Sequence, residues 1–136
     1  MTKRQLAALG ALLLSITSGA PVANAATSDS PCALYMTGGP RLISGKTKIT
    51  GSAESWCPGK FTFKVTIQQY RGLGIWRNKA TTTKRSPKKG KISATVTWKC
   101  ATGTGNQLYR IVSDATYDRG VYPGPASEEK RFTCPG

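Results

Sequence analysis

Apolar and polar side chains alternate most regularly in the stretch from Lys60 to Tyr70. Its apolar members occupy every second position: Phe61, Phe63, Val65 and Ile67. The polar residues fill the positions between them: Lys60, Thr62, Lys64, Thr66 and Gln68. A helix would distribute these four apolar side chains around its circumference, whereas an extended chain places them all on one face. The pattern therefore predicts a strand of an antiparallel sheet that has one face in water.

A second stretch, Lys91–Cys100, repeats the alternation. Its predicted inner face carries Ile92, Ala94, Val96, Trp98 and Cys100, and its outer face carries Lys91, Ser93, Thr95, Thr97 and Lys99. Between the two stretches lies Ile75–Thr83, which is rich in the β-branched threonine that strands favour. Glycine and proline in Arg71–Gly74 and Ser86–Gly90 are typical of turns. We therefore predict three successive strands at the centre of the domain.

The flanking sequence supplies further short strands. We predict strands at Leu42–Thr50 (interrupted by Gly45), Gln107–Asp118 and Glu128–Cys134, with loops at Gly51–Gly59 and Arg119–Ser127. The inner face of the strand that begins at Gln107 is predicted to carry Tyr109, Ile111, Ala115 and Tyr117. No helical period follows residue 25. The spacing predicts an all-β antiparallel sandwich of about seven strands over residues 41–136, preceded by an irregular segment (26–40) that contains one edge strand.

The first 25 residues have the three parts of a secretory signal. Lys3 and Arg4 provide the positive start, Leu6–Ile16 is an apolar run, and Ala23 and Ala25 are the small residues before a cleavage site. The apolar run is shorter than the roughly 20 residues that cross a bilayer as a helix. We expect a signal peptide over 1–25, a secreted, extracellular product and no membrane span.

Four cysteines remain after that cleavage: Cys32, Cys57, Cys100 and Cys134. An even number in a small exported chain favours two disulfides. Of the three possible pairings we favour Cys32–Cys57 with Cys100–Cys134, because each bridge then fastens one end of the chain to the central strands. A zinc site with four thiolates is the disfavoured alternative, since no Cys-x-x-Cys motif occurs. We expect no metal and no cofactor.

The chain is strongly basic, with 20 Lys and Arg against 6 Asp and Glu, a formal charge of +14. Without Lys3 and Arg4, 18 basic residues remain and the charge is +12. Such a field favours polyanionic partners, including nucleic acid bound without sequence preference, although solubility during export is an equally plain explanation. Oligomeric state is not predicted by any of these features.

The densest group of cations lies in the predicted hairpin between two strands. Its members are Lys84, Arg85, Lys88, Lys89 and Lys91. Three lysines on polar strand faces, Lys60, Lys64 and Lys99, would extend the group into a basic stripe if their strands share one sheet. We predict a polyanion- or partner-binding surface here, and a merely solvated turn is the alternative.

Aromatic residues offer one further candidate. Trp98 and Tyr109 alternate with apolar neighbours and are predicted to be internal, the hydroxyl of Tyr109 bonding to a nearby loop. Trp76, beside Arg77, is the best candidate for an exposed platform, although covering a sheet edge is its simpler role. The sequence contains no histidine, and bridged cysteines would leave no thiol nucleophile. We therefore predict that the protein is not an enzyme and has no catalytic residues.

Several short motifs resemble a module of exported actinobacterial proteins. They are Gln68-Gln69-Tyr70-Arg71, Gly72-Leu73-Gly74-Ile75-Trp76, Ala80-Thr81 and Gly103-Thr104-Gly105-Asn106-Gln107-Leu108-Tyr109-Arg110. The chain from about Lys60 to Cys134 is similar to small secreted actinobacterial (Streptomyces-like) proteins of uncharacterised function. The resemblance implies an immunoglobulin- or fibronectin-III-like β-sandwich used for binding and spacing, without catalytic residues.

These features together predict a secreted, non-catalytic binding or adaptor module. It would dock to another secreted protein or to an anionic polymer or cell surface. The alternative is an antagonistic factor, either an accessory subunit of a secreted toxin assembly or a protease inhibitor. Size, export and two disulfides are similar to the subtilisin-inhibitor family, and Cys57-Pro58 resembles the start of its inhibitory loop. Gly59 follows, however, where that family needs a side chain, and the cysteine spacings differ.

Overall fold

The computed structural model describes residues 30–136. The predicted signal peptide and the rest of 1–29 lie outside this range. Within the described residues the regular structure consists of strands alone. They are β1 (Ala33–Ile43), β2 (Lys48–Cys57), β3 (Phe61–Tyr70), β4 (Trp76–Ser86), β5 (Gly90–Lys99), β6 (Asn106–Tyr117), β7 (Gly120–Pro123) and β8 (Lys130–Thr133).

The strands form two antiparallel sheets. The first has the order β1-β2-β5, and the second has the order β4-β3-β6 with β7 and β8 both paired to the far edge of β6. Backbone bonds from Gly124 N to Ser113 O and from Ser127 N to Ile111 O connect β7 and β8 along that edge, so they act as one interrupted strand. Three strands facing four is the arrangement of a fibronectin-III-type, immunoglobulin-like sandwich. The predicted fold is confirmed.

The core lies between the sheets and is built by the predicted alternation. Phe63, Val65 and Ile67 of β3 are fully buried. They face residues of the first sheet that include Ile49 and Val96, also buried. Each such side chain contributes roughly 1.5–3 kcal/mol by leaving water. The alternation of Phe61–Tyr70 therefore sets which face of the second sheet meets the first.

Two disulfides join the predicted pairs. Cys32 and Cys57 lie on the neighbouring chains of β1 and β2, with Cα atoms 4.3 Å apart. Cys100 follows β5 of the first sheet and Cys134 follows β8 of the second, with Cα atoms 5.7 Å apart. One bridge therefore joins two strands of a single sheet, and the other joins the two sheets.

The first two strands differ from the prediction. β1 lies at a sheet edge, as predicted for the one strand of segment 26–40, but it runs from Ala33 to Ile43, so the predicted strand Leu42–Thr50 is divided between β1 and β2. The predicted loop Gly51–Gly59 was wrong, since β2 continues to Cys57. Its inward positions carry small residues: Gly51, Ala53 and Ser55. A Cβ on Gly51 would overlap the side chain of Ile111, so the sheets meet too closely there for a larger residue.

The central strands are also connected differently. The turn between β4 and β5 was predicted to be a hairpin tip, but β4 belongs to the second sheet and β5 to the first. The turn therefore crosses between sheets, and only Pro87–Lys89 lie outside strands. The two facing strands remain close, since Thr82 Oγ1 donates a 3.0 Å hydrogen bond to Thr95 O. A turn sequence alone cannot tell a hairpin from such a crossing, since both use Pro and Gly.

Candidate anion-binding surfaces at the two ends

Two connections between the sheets define one end of the sandwich, which we call the basic end. They are Pro58–Lys60, between β2 and β3, and Pro87–Lys89, between β4 and β5. Both lie at the same end because the strand register pairs Cys57 with Gly90 and Phe61 with Ser86.

The opposite end, which we call the hairpin end, contains the turn between β3 and β4. With it lie the β1–β2 turn and the β5–β6 connection, since Thr47 O accepts a hydrogen bond from Cys100 N. The ten residues of β3 separate the two ends by about 30 Å.

Most of the predicted cations gather at the basic end. They are Lys60, Lys84, Arg85, Lys88, Lys89 and Lys91, all exposed. Lys64 lies one step further along the outer face of β3, opposite Thr83 and Asp114. Lys99 lies at the hairpin end, and its strand is in the other sheet from that of Lys64. The strands of these lysines do not share one sheet. Lys60, Lys64, Lys91 and Lys99 therefore do not form a continuous basic stripe.

A concavity of about 440 Å³ opens among these cations. Its lining includes the side chains of Lys60 and Arg85, the apolar residues Phe61 and Pro87, and Asp118. Ser86 Oγ donates a 2.7 Å hydrogen bond to Lys88 O, which fixes the turn beside it. Two cations around a partly apolar hollow can hold one anionic group. The carboxylate of Asp118 repels such a group and so lowers the affinity.

The lysines of the basic end differ in whether they form an ion pair. Lys91 Nζ lies 3.6 Å from Glu54 Oε1, so its charge is already partly balanced. Lys88 and Lys89 have no carboxylate within salt-bridge distance in the described residues. The turn between β4 and β5 therefore carries two exposed cations that are available to an external anion.

Trp76 and Arg77 belong to the hairpin end. The ring of Trp76 lies 5.1 Å from that of Tyr70, and the guanidinium of Arg110 lies over it at 4.1 Å from the ring centroid. Arg110 Nε donates to Gln68 Oε1 at 2.8 Å, which holds the guanidinium in place. Trp76 is therefore half-buried between an aromatic ring and a cation, a packing role on the outer face of the second sheet.

The two aromatics predicted to be internal behave differently. Tyr109 is fully buried, and its hydroxyl accepts a 3.2 Å hydrogen bond from Gln69 on the neighbouring strand rather than from a loop. Burial raises the pKa of this tyrosine, and the bond from Gln69 opposes the rise in part. Trp98 is only half-buried: it packs against the core and has Lys79 Nζ 5.2 Å from its ring centroid.

Two exposed aromatics escaped the sequence analysis. Tyr35 is 54% exposed and Trp56 is 40% exposed, both on the outer face of the first sheet. Trp56 lies opposite Lys91 in the strand register. A usable signal was present, because a disulfide at the inward-facing Cys57 forces the preceding residue to point outward. The predicted loop concealed it.

Little in the described residues resembles a reaction centre. No group of His, Cys, Asp or Glu that could hold a metal ion occurs in residues 30–136, and these residues contain no free cysteine. Cys57, at the start of the Cys57-Pro58 motif, is buried in β2, and a Cβ on Gly59 would come within 3.0 Å of the ring of Tyr117. No helix in this part of the chain has the length and apolar character needed to cross a bilayer.

Comparisons with known proteins give a weak structural likeness only. No family model matches the chain, and no curated protein matches it. Two solved structures of a glycosyl hydrolase family 2 member from Bacteroides cellulosilyticus align with it at 12% and 13% identity, each with a TM-score of 0.43. Each alignment covers 74% of this chain and 14% of that chain. The description of the fold therefore rests on its own strand order and disulfides.

Proposed function

We propose that the protein is an exported, non-catalytic binding module whose basic end attaches to an anionic polymer of the cell surface. One observation carries this proposal: six of the predicted cations lie at the end that holds two of the three inter-sheet connections of the described residues, and two of these cations, Lys60 and Arg85, line a hollow there. The two disulfides agree with an oxidising, extracellular setting.

The chemistry of this end favours a polymer over a small ligand. Lys88 and Lys89 project from a turn and can contact successive anionic groups, while the hollow takes one group between Lys60 and Arg85. Such contacts release counterions, so affinity should fall steeply as salt concentration rises. Selectivity should be low, because exposed lysines act as point charges without a fixed hydrogen-bond geometry.

The test measures retention of the oxidised protein on immobilised teichoic acid, heparin and double-stranded DNA across a salt gradient. We expect retention at low salt, and a reduced salt dependence for the double variant Lys88→Ser/Lys89→Ser. The matched control, Lys46→Ser/Lys48→Ser, removes the same charge from the hairpin end.

Two results would contradict the proposal. One is the absence of retention on all three polymers at low salt. The other is an equal loss in the two double variants, which would show that net charge, rather than the basic end, determines binding.

A further inference from the structure

The turn of the hairpin end exposes two large apolar side chains. Leu73 is 96% exposed and Ile75 is 57% exposed. Single exposed hydrophobic residues are common on protein surfaces and need no explanation by themselves. Here, however, the two lie two residues apart at the outermost point of a turn, where neither contributes to the core.

The backbone at this turn makes the choice of leucine costly. Leu73 has φ +55°, and its neighbours Gly72 and Gly74 have φ +89° and +75°. The left-handed region suits glycine, and a residue with a branched side chain is seldom found there. The turn thus has glycine at two of the three positions with positive φ and leucine at the third. Leu73 does not pack in the core, so no buried contact offsets its backbone strain.

Hydrogen bonds hold the backbone of this turn in place. Arg71 N donates to Ile75 O at 2.8 Å, and Ile75 N donates to Gly72 O at 3.0 Å. The hydroxyl of Tyr70 accepts a 2.9 Å hydrogen bond from Gly74 N, and the ring of Tyr70 packs against Trp76. The backbone of Leu73 is therefore held in place, so little backbone entropy remains to be lost when the side chain is buried.

The charged side chains in the turns of the hairpin end are all cationic. In the described residues the hairpin end carries Lys46, Lys48, Arg71, Arg77 and Lys99, and none of its turns contains Asp or Glu. An apolar tip at the same end of the sandwich as these cations is complementary to a surface that is anionic outside and apolar just beneath. A bilayer containing anionic lipid has this structure.

We propose that the hairpin end docks on an anionic lipid bilayer, with Leu73 and Ile75 entering the interface between headgroups and acyl chains. The surrounding arginines and lysines then contact the phosphates. Neither contribution suffices alone, because two side chains bury little area and the cations are exposed to salt. The site differs from the basic end in position and in chemistry.

The first experiment measures sedimentation of the oxidised protein with vesicles of phosphatidylcholine, with and without phosphatidylglycerol. We expect binding only with phosphatidylglycerol. Leu73→Gly should reduce it by at least about tenfold, from the lost apolar transfer. Arg77→Gln should reduce it by about fivefold, the contribution of one charge near the membrane. Val121→Ser, which removes another exposed apolar side chain (64% exposed) from near the basic end, should have no effect.

Leu73→Gly also separates binding from folding. Glycine suits the left-handed backbone, so the thermal midpoint of this variant should equal or exceed that of the wild type while vesicle binding is lost. The same variant should keep its retention on anionic polymers, because the basic end is unchanged.

A second readout places the side chain. Leu73→Trp should give a blue-shifted fluorescence component with anionic vesicles, quenched by brominated acyl chains. Three results would overturn the proposal: no binding of the wild type to phosphatidylglycerol vesicles at low salt, wild-type binding by Leu73→Gly, or no quenching in Leu73→Trp. An effect of Leu73 confined to binding of a protein partner, without vesicle binding, would overturn it as well.

Discussion

The two ends of the sandwich are made from similar residues and yet present different surfaces. At the basic end the connections 58–60 and 87–89 pass from one sheet to the other and expose lysines, including Lys88 and Lys89, while Phe61, the first residue of β3, is buried. At the hairpin end the turn joins two neighbours in one sheet and extends away from the core, which leaves Leu73 exposed. The two ends therefore differ in what their turns display: lysines at the basic end and a large apolar side chain at the hairpin end.

The largest expected effect comes from removing the disulfides, one of which lies at each end of the sandwich. Replacing Cys32 and Cys57 by Ala, or Cys100 and Cys134 by Ala, should lower the free energy of unfolding by about 3–4 kcal/mol, from loops of 25 and 34 residues. Urea titration of each double variant measures the loss. A loss below about 1 kcal/mol for either pair would contradict the expectation that the two disulfides stabilise the fold by similar amounts. A much larger loss for Cys100 and Cys134 would mean that linking the two sheets matters beyond chain entropy.

The next comparison uses one glycine from each end. Gly74 has φ +75° and Gly90 has φ +145°, and an added Cβ would meet nothing within 4 Å at either position. Gly74→Ala should cost about 1 kcal/mol, and Gly90→Ala about 2 kcal/mol or more, because φ near +145° lies outside the left-handed region. Thermal unfolding ranks the two variants, and equal midpoints would show that the backbone relaxes at the basic end.

Tyr109 tests the connection between the hairpin end and the core. Gln69 donates to its hydroxyl and accepts from Arg71 at 3.0 Å, so the three side chains form a chain from the turn inward. Tyr109→Phe should cost about 1 kcal/mol at pH 7.

The cost should also depend on pH. Since burial raises the pKa of Tyr109, the unfolded chain releases this proton above about pH 10 while the folded chain keeps it. Above about pH 10 the free energy of unfolding of the wild type therefore falls as the pH rises. The difference in this free energy between the wild type and Tyr109→Phe should become smaller. Denaturant titrations at pH 7 and above pH 10 measure this, with the exposed Tyr35→Phe as control; a constant difference would contradict the assignment.

The smallest effect is expected from the ion pair at the basic end. Lys91 is 61% exposed and its nitrogen lies 3.6 Å from Glu54. Lys91→Gln should change the free energy of unfolding by no more than about 0.5 kcal/mol. Its effect on polymer retention should also be below that of Lys88→Gln, whose charge is unpaired in the described residues. A larger loss of retention from Lys91→Gln would show that the ion pair with Glu54 does not weaken the interaction of Lys91 with the polymer.

The sequence predicts well those features that follow from one strand at a time. The alternation in Phe61–Tyr70 and Lys91–Cys100 places the core correctly, and the cysteine pairing is confirmed. The continuation of β2 from Gly51 to Cys57 was missed because its inward residues are small: Gly51, Ala53 and Ser55 provide almost no hydrophobic signal. Their size is set by the approach of Ile111 from the other sheet, a contact between residues 60 positions apart.

The candidate sites were predicted only in part, since a site depends on how strands are arranged. The cations of Lys84–Lys91 were identified, but only the strand register brings Lys60 close to Arg85, and the same register places Lys99 at the other end. Leu73 received no attention because its exposure and its positive φ are properties of the folded turn.

One irregularity in β4 has a consequence for anyone who wishes to transplant the apolar turn. Ile67 pairs with Ala80 and Gln68 with Asn78, so Lys79 is an extra residue that lies over Trp98 instead of continuing the alternation. Without this bulge, the residues from Trp76 to Asn78 would face the opposite side of the sheet. A graft of the turn should therefore extend through Lys79, so that the bulge and the register that follows it are carried into the new scaffold.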